Sequence, residues 1–262
     1  MVSKNKVKEE VKDFSEKVKE SSKGLWKSFL EKARHFNICD FYIGKTEIKI
    51  SKHGKNTIYF VMILCFVSLL CTGLGFLTTS LLFLILFVLW TFRDPDRVIP
   101  NKKNIVVSPA DGVVVRMETS SLPSELAVDD KDEYTKISIL LRATDVHLQR
   151  VPVKSIVNKV EYIKGAFINA SLDKASKDNE RNIVLFERDN GDKICVVQIA
   201  GLISRRIVCE VKKEENCEIG EKYGMIKLGS RVEVYLPKKY KLDILEGQRV
   251  VGGETILASF EK

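Results

Sequence analysis

The residues with the types and spacing for chemistry begin with one dipeptide near the C-terminus, Gly229-Ser230. It lies in the stretch Tyr223-Gly-Met-Ile-Lys-Leu-Gly-Ser-Arg-Val-Glu-Val-Tyr-Leu-Pro237, where Val232, Val234 and Leu236 alternate with Arg231, Glu233 and Tyr235. A period of two marks a half-buried strand, so the dipeptide sits where a turn hands over to a strand. Glycine at such a point reaches backbone angles closed to other residues and leaves its carbonyl open. The neighbouring hydroxyl is then placed to attack the peptide bond on its own N-terminal side. An ordinary Gly-Ser turn is the alternative reading of the dipeptide alone.

Four further segments carry reactive side chains. Ser108-Pro-Ala-Asp-Gly112 offers Asp111, although an Asp-Gly pair also opens a tight hairpin. Leu141-Arg-Ala-Thr-Asp-Val-His-Leu-Gln-Arg-Val-Pro152 offers His147, the only histidine beyond residue 53, between Asp145 and Arg150. Asn179-Glu-Arg-Asn182 reads as a polar loop before a strand. Gln198-Ile-Ala-Gly-Leu-Ile-Ser-Arg-Arg-Ile-Val208 brings Arg205 and Arg206, whose guanidinium groups suit phosphate or carboxylate.

The elements that must position these residues fall into three parts. Residues 1–56 hold 14 Lys and Arg against 8 Asp and Glu, whereas residues 93–262 hold 29 against 27. The positive excess therefore belongs to an N-terminal arm, which points to an anionic membrane surface rather than nucleic acid. Within that arm Val7, Val11, Phe14, Val18, Leu25, Phe29 and Phe36 form one apolar stripe beside Trp26. A basic amphipathic helix over 4–36 lying on a membrane fits this pattern, with a solvated or coiled-coil helix as the alternative. Six scattered cysteines without a C-x-x-C pair suit reduced thiols rather than a disulfide framework.

Residues 57–92 form a run of 36 without a charge. One helix of that length would be about 54 Å long, against a hydrocarbon core of about 30 Å. The Gly73-Leu74-Gly75 break near its middle, and basic residues on both flanks, favour a hairpin with both ends on the cytoplasmic side. Arg93-Asp-Pro-Asp-Arg-Val-Ile-Pro100 then ends any helix.

From about residue 104 the chain reads as short apolar runs punctuated by glycine. Strands are expected at 105–115 around an Asp111-Gly112 turn, then at 136–141, 155–162, 183–187, 193–199, 204–211 and 242–260. That density of short strands predicts a mainly β body, a barrel or sandwich.

The segment around Gly229-Ser230 resembles the cleavage segment of the short-type phosphatidylserine decarboxylases, a family that includes the archaetidylserine decarboxylases. The other four segments match further motifs of that family in order, over roughly residues 90–260. The resemblance implies a barrel-sandwich-hybrid-like catalytic body behind a transmembrane helical hairpin and an amphipathic N-terminal helix. It implies a proenzyme that cuts itself into chains 1–229 and 230–262, with Ser230 converted to a pyruvoyl group. No pyridoxal phosphate, metal or nucleic acid is then expected. The partners are a phospholipid in the membrane, the two cleaved chains and a second copy in a homodimer, at the cytoplasmic face of the cell membrane. Ser230, His147 and Asp111 take the catalytic places; Arg150, Asn179, Arg181, Arg205 and Arg206 take the substrate-binding ones. One departure stands out: Arg150 occupies the place of a second histidine in the longer type, so the base that activates Ser230 is left open. Phosphatidylserine and archaetidylserine share a head group, so tail selectivity is also left open. A non-enzymatic lipoyl-like β domain is the competing class, and the absence of a Met-Lys-Met or Asp-Lys-Ala arm from the sequence counts against it.

Deleting residues 1–92 is expected to release the body from membranes in a flotation assay. A truncated chain that stays fully bound at high salt would show that the body has its own anchor.

Overall fold

The computed structural model describes residues 40–43, 46–128, 130, 132–172, 175–202, 206–227 and 230–260. The stretch 4–36, Arg205 and Gly229 lie outside them. Two short strands come first, β1 (Asp40–Ile43) and β2 (Thr46–Lys49), paired as a two-stranded sheet.

The uncharged run folds as two helices, α1 (Lys55–Thr72) and α2 (Phe76–Thr91), joined by Gly73-Leu74-Gly75. Apolar side chains such as Phe60, Leu70, Phe83 and Leu86 are exposed on both. Ser68 and Thr78 turn inward instead, their hydroxyl oxygens 2.9 Å apart between the helices, and Thr78 Oγ1 also donates to the Gly73 carbonyl at 2.8 Å. The exposed hydroxyls of Thr72, Thr79 and Ser80 donate to the backbone carbonyls of Ser68, Gly75 and Phe76. A helix pair with its hydroxyls satisfied within the pair and its large apolar groups outside suits lipid rather than water. By length and composition α1 is apolar enough to cross a membrane; α2 is shorter, at 16 residues.

The body is mainly β. Its strands are β3 (Ile105–Val107), β4 (Gly112–Ser120), β5 (Tyr134–Leu141), β6 (Leu148–Arg150), β7 (Ser155–Ile163), β8 (Arg181–Glu187), β9 (Lys193–Ile199), β10 (Ile207–Cys209), β11 (Asn216–Cys217), β12 (Lys222–Ile226), β13 (Ser230–Pro237), β14 (Lys241–Leu242), β15 (Arg249–Val250) and β16 (Ile256–Ser259). A short helix, α3 (Ala175–Asp178), precedes β8. Eight strands form one antiparallel, curled sheet in the order β11-β7-β8-β9-β13-β5-β4-β15. Bulges at Val114/Arg116 and Val157/Lys159 help it curl. Two three-stranded sheets, β10-β12-β6 and β14-β16-β3, supply further walls.

Alternation along the strands divides the interior. Even-numbered residues Val184 and Phe186, Ile194 and Val196, and Val232, Val234 and Leu236 share the main core with Ile137 and Ile139. Odd-numbered Ile183 and Leu185, Cys195 and Val197, and Tyr235 face the other way into a second cluster with Leu126 and Tyr134. Central strands are therefore buried on both faces, which corrects the half-buried reading of β13. Arg231 and Glu233 are 5% and 1% exposed. Their partner is Ser176 of α3, whose hydroxyl donates to Glu233 Oε1 at 2.5 Å and accepts from Arg231 Nη1 at 3.0 Å.

The 105–115 segment also differs from a hairpin. β3 pairs with β16, whereas β4 pairs with β5 and β15, so the chain changes sheet at Asp111. Gly112 permits this. A Cβ there would lie 2.5 Å from the Leu140 carbonyl oxygen across the ladder. Gly112→Ala is accordingly expected to destabilise the protein by about 1–3 kcal/mol, read as a lower urea midpoint in detergent. An unchanged midpoint would contradict the close approach of β4 and β5.

Candidate active site

Ser230 is the first residue of β13, the strand held between β9 and β5. Its Cα partner is Leu141, the last residue of β5. Being even-numbered, its side chain shares the face of Val232 and Val234 and points inward. The residue is 1% exposed, and its buried Oγ has no hydrogen-bond partner among the described residues. A buried hydroxyl normally finds a partner, so an orphaned one marks a site held for something other than stability.

The loop 142–147 leaves β5 opposite Ser230 and enters β6, whose Leu148 pairs with Met225 of β12. Its two ends are thus fixed by pairing, one at Ser230 and the other at Met225. His147 closes this loop. Its carbonyl accepts from the Ile226 N–H at 3.2 Å, and its side chain is fully buried. Burial lowers the imidazole pKa to about 4; the Asp145 carboxylate and hydrogen bonds to the backbone of Asp145 and Thr91 oppose the shift, and Arg93 adds to it. His147 is therefore neutral near pH 7, a proton acceptor rather than a cation.

Carboxylates and guanidinium groups surround the loop. Asp145 is fully buried; it accepts from the Arg142 N–H at 2.8 Å and pairs with Arg249. Asp111 Oδ2 pairs with Arg97 at 2.7 Å, and Oδ1 accepts from the Gly252 N–H at 2.8 Å. Arg93 feels both Asp111 and Asp145, and it donates to the Thr144 carbonyl at 2.8 Å. Asp111 thus joins the group around His147 through arginines, with both its oxygens engaged. Lys227, three residues before Ser230, donates to the His53 carbonyl at 3.0 Å and lies 5.6 Å from the centre of the Phe92 ring. The feet of both apolar helices therefore touch the segment before Ser230.

The remaining sequence candidates are placed as follows. Arg150 is buried and donates to the carbonyls of Gly220 at 2.9 Å and Pro95 at 3.2 Å, bracing the linker after α2. Asn179 is fully buried and ties two loops together, donating to the carbonyls of Ile168 at 2.8 Å and Ala200 at 2.7 Å. Arg181 pairs with Glu125. Arg206 is exposed, close enough to Lys227 to lower its pKa together with burial. Asp145, Arg93, Arg97, Arg249 and Lys227 were not singled out from the sequence as site residues. Only the adjacency of Asp145 to His147 hinted at one of them. A cavity of about 470 Å³ lined by Asn190, Asp192, Lys239, Tyr240, Lys241, Ser259 and Phe260 includes none of the candidate residues.

A buried serine whose hydroxyl has no partner among the described residues, opposite the start of a loop that carries a neutral imidazole and compensated charges, is an arrangement suited to a nucleophile shielded from water. Comparison with known proteins narrows the class. A family model described as phosphatidylserine decarboxylase matches residues 84–258. A phosphatidylserine decarboxylase proenzyme of Rickettsia typhi is 45% identical over 187 residues, covering 71% of this chain and 78% of the relative. Proenzymes of the same name from Wolbachia sp. subsp. Brugia malayi and Wolbachia pipientis wMel are 42% and 40% identical over 188 residues, each covering 72% of this chain and 81% of the relative. The chain belongs to the phosphatidylserine decarboxylase family.

The pKa of His147 sets a pH dependence. Between pH 6.5 and about 4 the unfolded chain binds a proton at this residue that the folded chain refuses. The stability from the neutral imidazole is complete above pH 6.5 and is lost as pH falls through that window, at about 1.4 kcal/mol per unit. His147→Gln is expected to flatten the dependence of the urea midpoint on pH across this range. An unchanged slope would show that the buried imidazole keeps its ordinary affinity for protons.

Proposed function

We propose that the chain is made as a proenzyme that cuts itself between Gly229 and Ser230 and works at a membrane surface. As a family member it is a carboxy-lyase that decarboxylates phosphatidylserine to phosphatidylethanolamine and CO2. The observation that carries the self-cleavage reading is the orphaned, buried hydroxyl of Ser230 at the start of a central strand.

The chemistry follows from that placement. Ser230 Oγ attacks the Gly229 carbonyl and displaces the Ser230 amide nitrogen, leaving an ester between residues 229 and 230. β-Elimination frees the carboxylate of Gly229 and leaves a dehydroalanine at 230. Water then replaces its nitrogen as ammonia, giving a pyruvoyl cap. Proximity of the hydroxyl and the carbonyl supplies much of the rate. A general base adds about 10²- to 10⁴-fold. The site fits such a cap: the position is buried, its backbone is fixed by pairing with Leu141, and no hydrogen bond to Oγ from the described residues has to be broken. Once formed, the cap supplies the electron sink that decarboxylation of an α-amino acid requires.

The chain's own residues do the rest. His147, neutral at working pH, takes up from solvent the one proton that the net reaction consumes and delivers it from its ring to the substrate's α-carbon, where CO2 has left. Asp111 and Asp145, each compensated by arginine, keep the surrounding field balanced as that proton moves. Arg206 is exposed near Lys227 and is assigned to the lipid phosphate or carboxylate, together with Arg205. Arg150, Asn179 and Arg181 act one step back, by bracing the loops that carry the site. The exposed apolar flanks of α1 and α2 support a membrane-embedded hairpin, which brings the site to its lipid, and the basic residues on both sides of it favour the cytoplasmic face. The core shared by all three body sheets supports the barrel-sandwich-hybrid reading.

The mature protein is expected to be two chains, 1–229 and a 33-residue piece from 230 to 262, visible by intact mass. The small chain should resist N-terminal sequencing until its ketone is reductively aminated, and the two should copurify without a disulfide. Ser230→Ala should remain one uncut, inactive chain. Active enzyme present only as the intact chain would sink the pyruvoyl mechanism.

A further inference from the structure

Three amides cross the apolar interior beside the reacting residues. Asn182 of β8 and Gln198 of β9 are direct cross-strand partners, and Gln198 is in turn opposite Val232 of β13. Cross-strand partners share a face, and Val232 shares its face with Ser230 two residues away. Asn182 and Gln198 therefore point into the same interior as Ser230, where the neighbouring even-numbered positions are Val184, Phe186, Val196 and Val234.

From there the amides run in one direction. Asn182 Nδ2 donates to Gln198 Oε1 at 2.9 Å. Gln198 Nε2 donates to Gln149 Oε1 at 2.9 Å. Gln149 Nε2 donates to the His147 carbonyl at 2.9 Å. All four residues are at most 1% exposed. Each middle member gives with its nitrogen and receives with its oxygen, so the dipoles lie head to tail and reinforce one another. Space has been left for the crossing: a Cβ on Gly224 would stand 2.9 Å from Gln198 Nε2 and 2.3 Å from the Val208 carbonyl oxygen. Apolar side chains of similar size would fill this interior without any need for hydrogen-bond partners. Keeping three amides here points to a role other than filling space.

We propose that Asn182, Gln198 and Gln149 are positioning residues, a buried amide chain that runs from the large sheet to the His147 carbonyl and fixes that histidine relative to Ser230. The chain links the two structures whose separation matters. Its origin lies on strands in register with β13, which carries Ser230, and its end grips the loop that carries His147. It also leaves the His147 carbonyl accepting two N–H groups, from Gln149 and from Ile226. That polarises the peptide and holds the loop against β12. This proposal rests on the reading of His147 and Ser230 as the reacting residues.

The test uses the full-length protein in mixed micelles of detergent and phosphatidylserine. Gln198→Met keeps the bulk and removes all three side-chain hydrogen bonds, to Asn182, Gln149 and the Val208 carbonyl. Val196→Ala, on the same strand and face, serves as a comparison in which packing alone is lost. Gln198→Met is expected to lower kcat about tenfold or more with KM little changed, beyond any loss in Val196→Ala, and Gln149→Met to do the same. The double variant should be no worse than either single one, because the chain acts as a unit. Gln149→Glu keeps the oxygen that faces Gln198 and, buried against the His147 carbonyl, stays protonated, so its hydroxyl still donates to that carbonyl. It is expected to restore most of the kcat lost in Gln149→Met. A Gln149→Glu enzyme no better than Gln149→Met, or a Gln198→Met enzyme equal to Val196→Ala, would overturn the proposal. His147→Ala is assayed in parallel. Normal turnover by that variant removes the reading of His147 and the proposal with it. An inactive His147→Ala beside a normal Gln198→Met removes the positioning role alone.

Discussion

The strand pairing of β13 is the constraint on which the rest of the site depends. Residues Ser230 to Pro237 pair with β5 along their whole length, and Arg231 to Tyr235 pair with β9 on the other side. A strand bonded on both edges and buried on both faces has no freedom to slide, since a slip of one residue would exchange its two side-chain sets. That exchange would place Arg231 and Glu233 in the aliphatic core and Val232 and Val234 against Ser176. The penalty holds the register, and the register fixes Ser230 opposite Leu141 at the mouth of the loop that carries His147.

Around this strand the charges are arranged in compensated pairs. Asp111 with Arg97, and Asp145 with Arg249, give a site rich in ionisable groups with little net field. The imidazole among them is then governed by burial rather than by any single neighbour. A low-dielectric pocket of this kind strengthens every remaining interaction within it. It would also shield the proposed ketone-bearing cap from water.

Much of this was legible in the chain. β5, β7, β8 and β9 announce themselves as apolar or alternating runs, and their observed bounds fall within about two residues of the reading. The dipeptide Gly229-Ser230 and the motif around His147 carried the site. What was hidden depended on partners far along the sequence. Arg231 and Glu233 read as an outward face because nothing near them shows that Ser176 will cover them. Asp111 read as a hairpin turn because β3 finds its partner in β16, at the other end of the body. Gln149, Gln198 and Asn182 looked like ordinary polar positions. Only the parity of their strands, seen against Val184 and Val196, turns them inward.

The distribution of residues 230–260 over the sheets has a kinetic meaning. They supply a central strand and an edge strand of the large sheet, β13 and β15, and two of the three strands of another, β14 and β16. While the chain is whole, folding is a first-order process whose rate does not depend on concentration. The proposed cut at 229/230 would turn the same fold into an association of two polypeptides, neither of which holds the complete large sheet or the complete β14-β16-β3 sheet. Unfolding then separates molecules rather than segments, so recovery becomes second-order and slows on dilution. The proposed cap could not be remade from the short piece alone. The mature protein would then persist by the height of its unfolding barrier, since an opened molecule has no efficient way back.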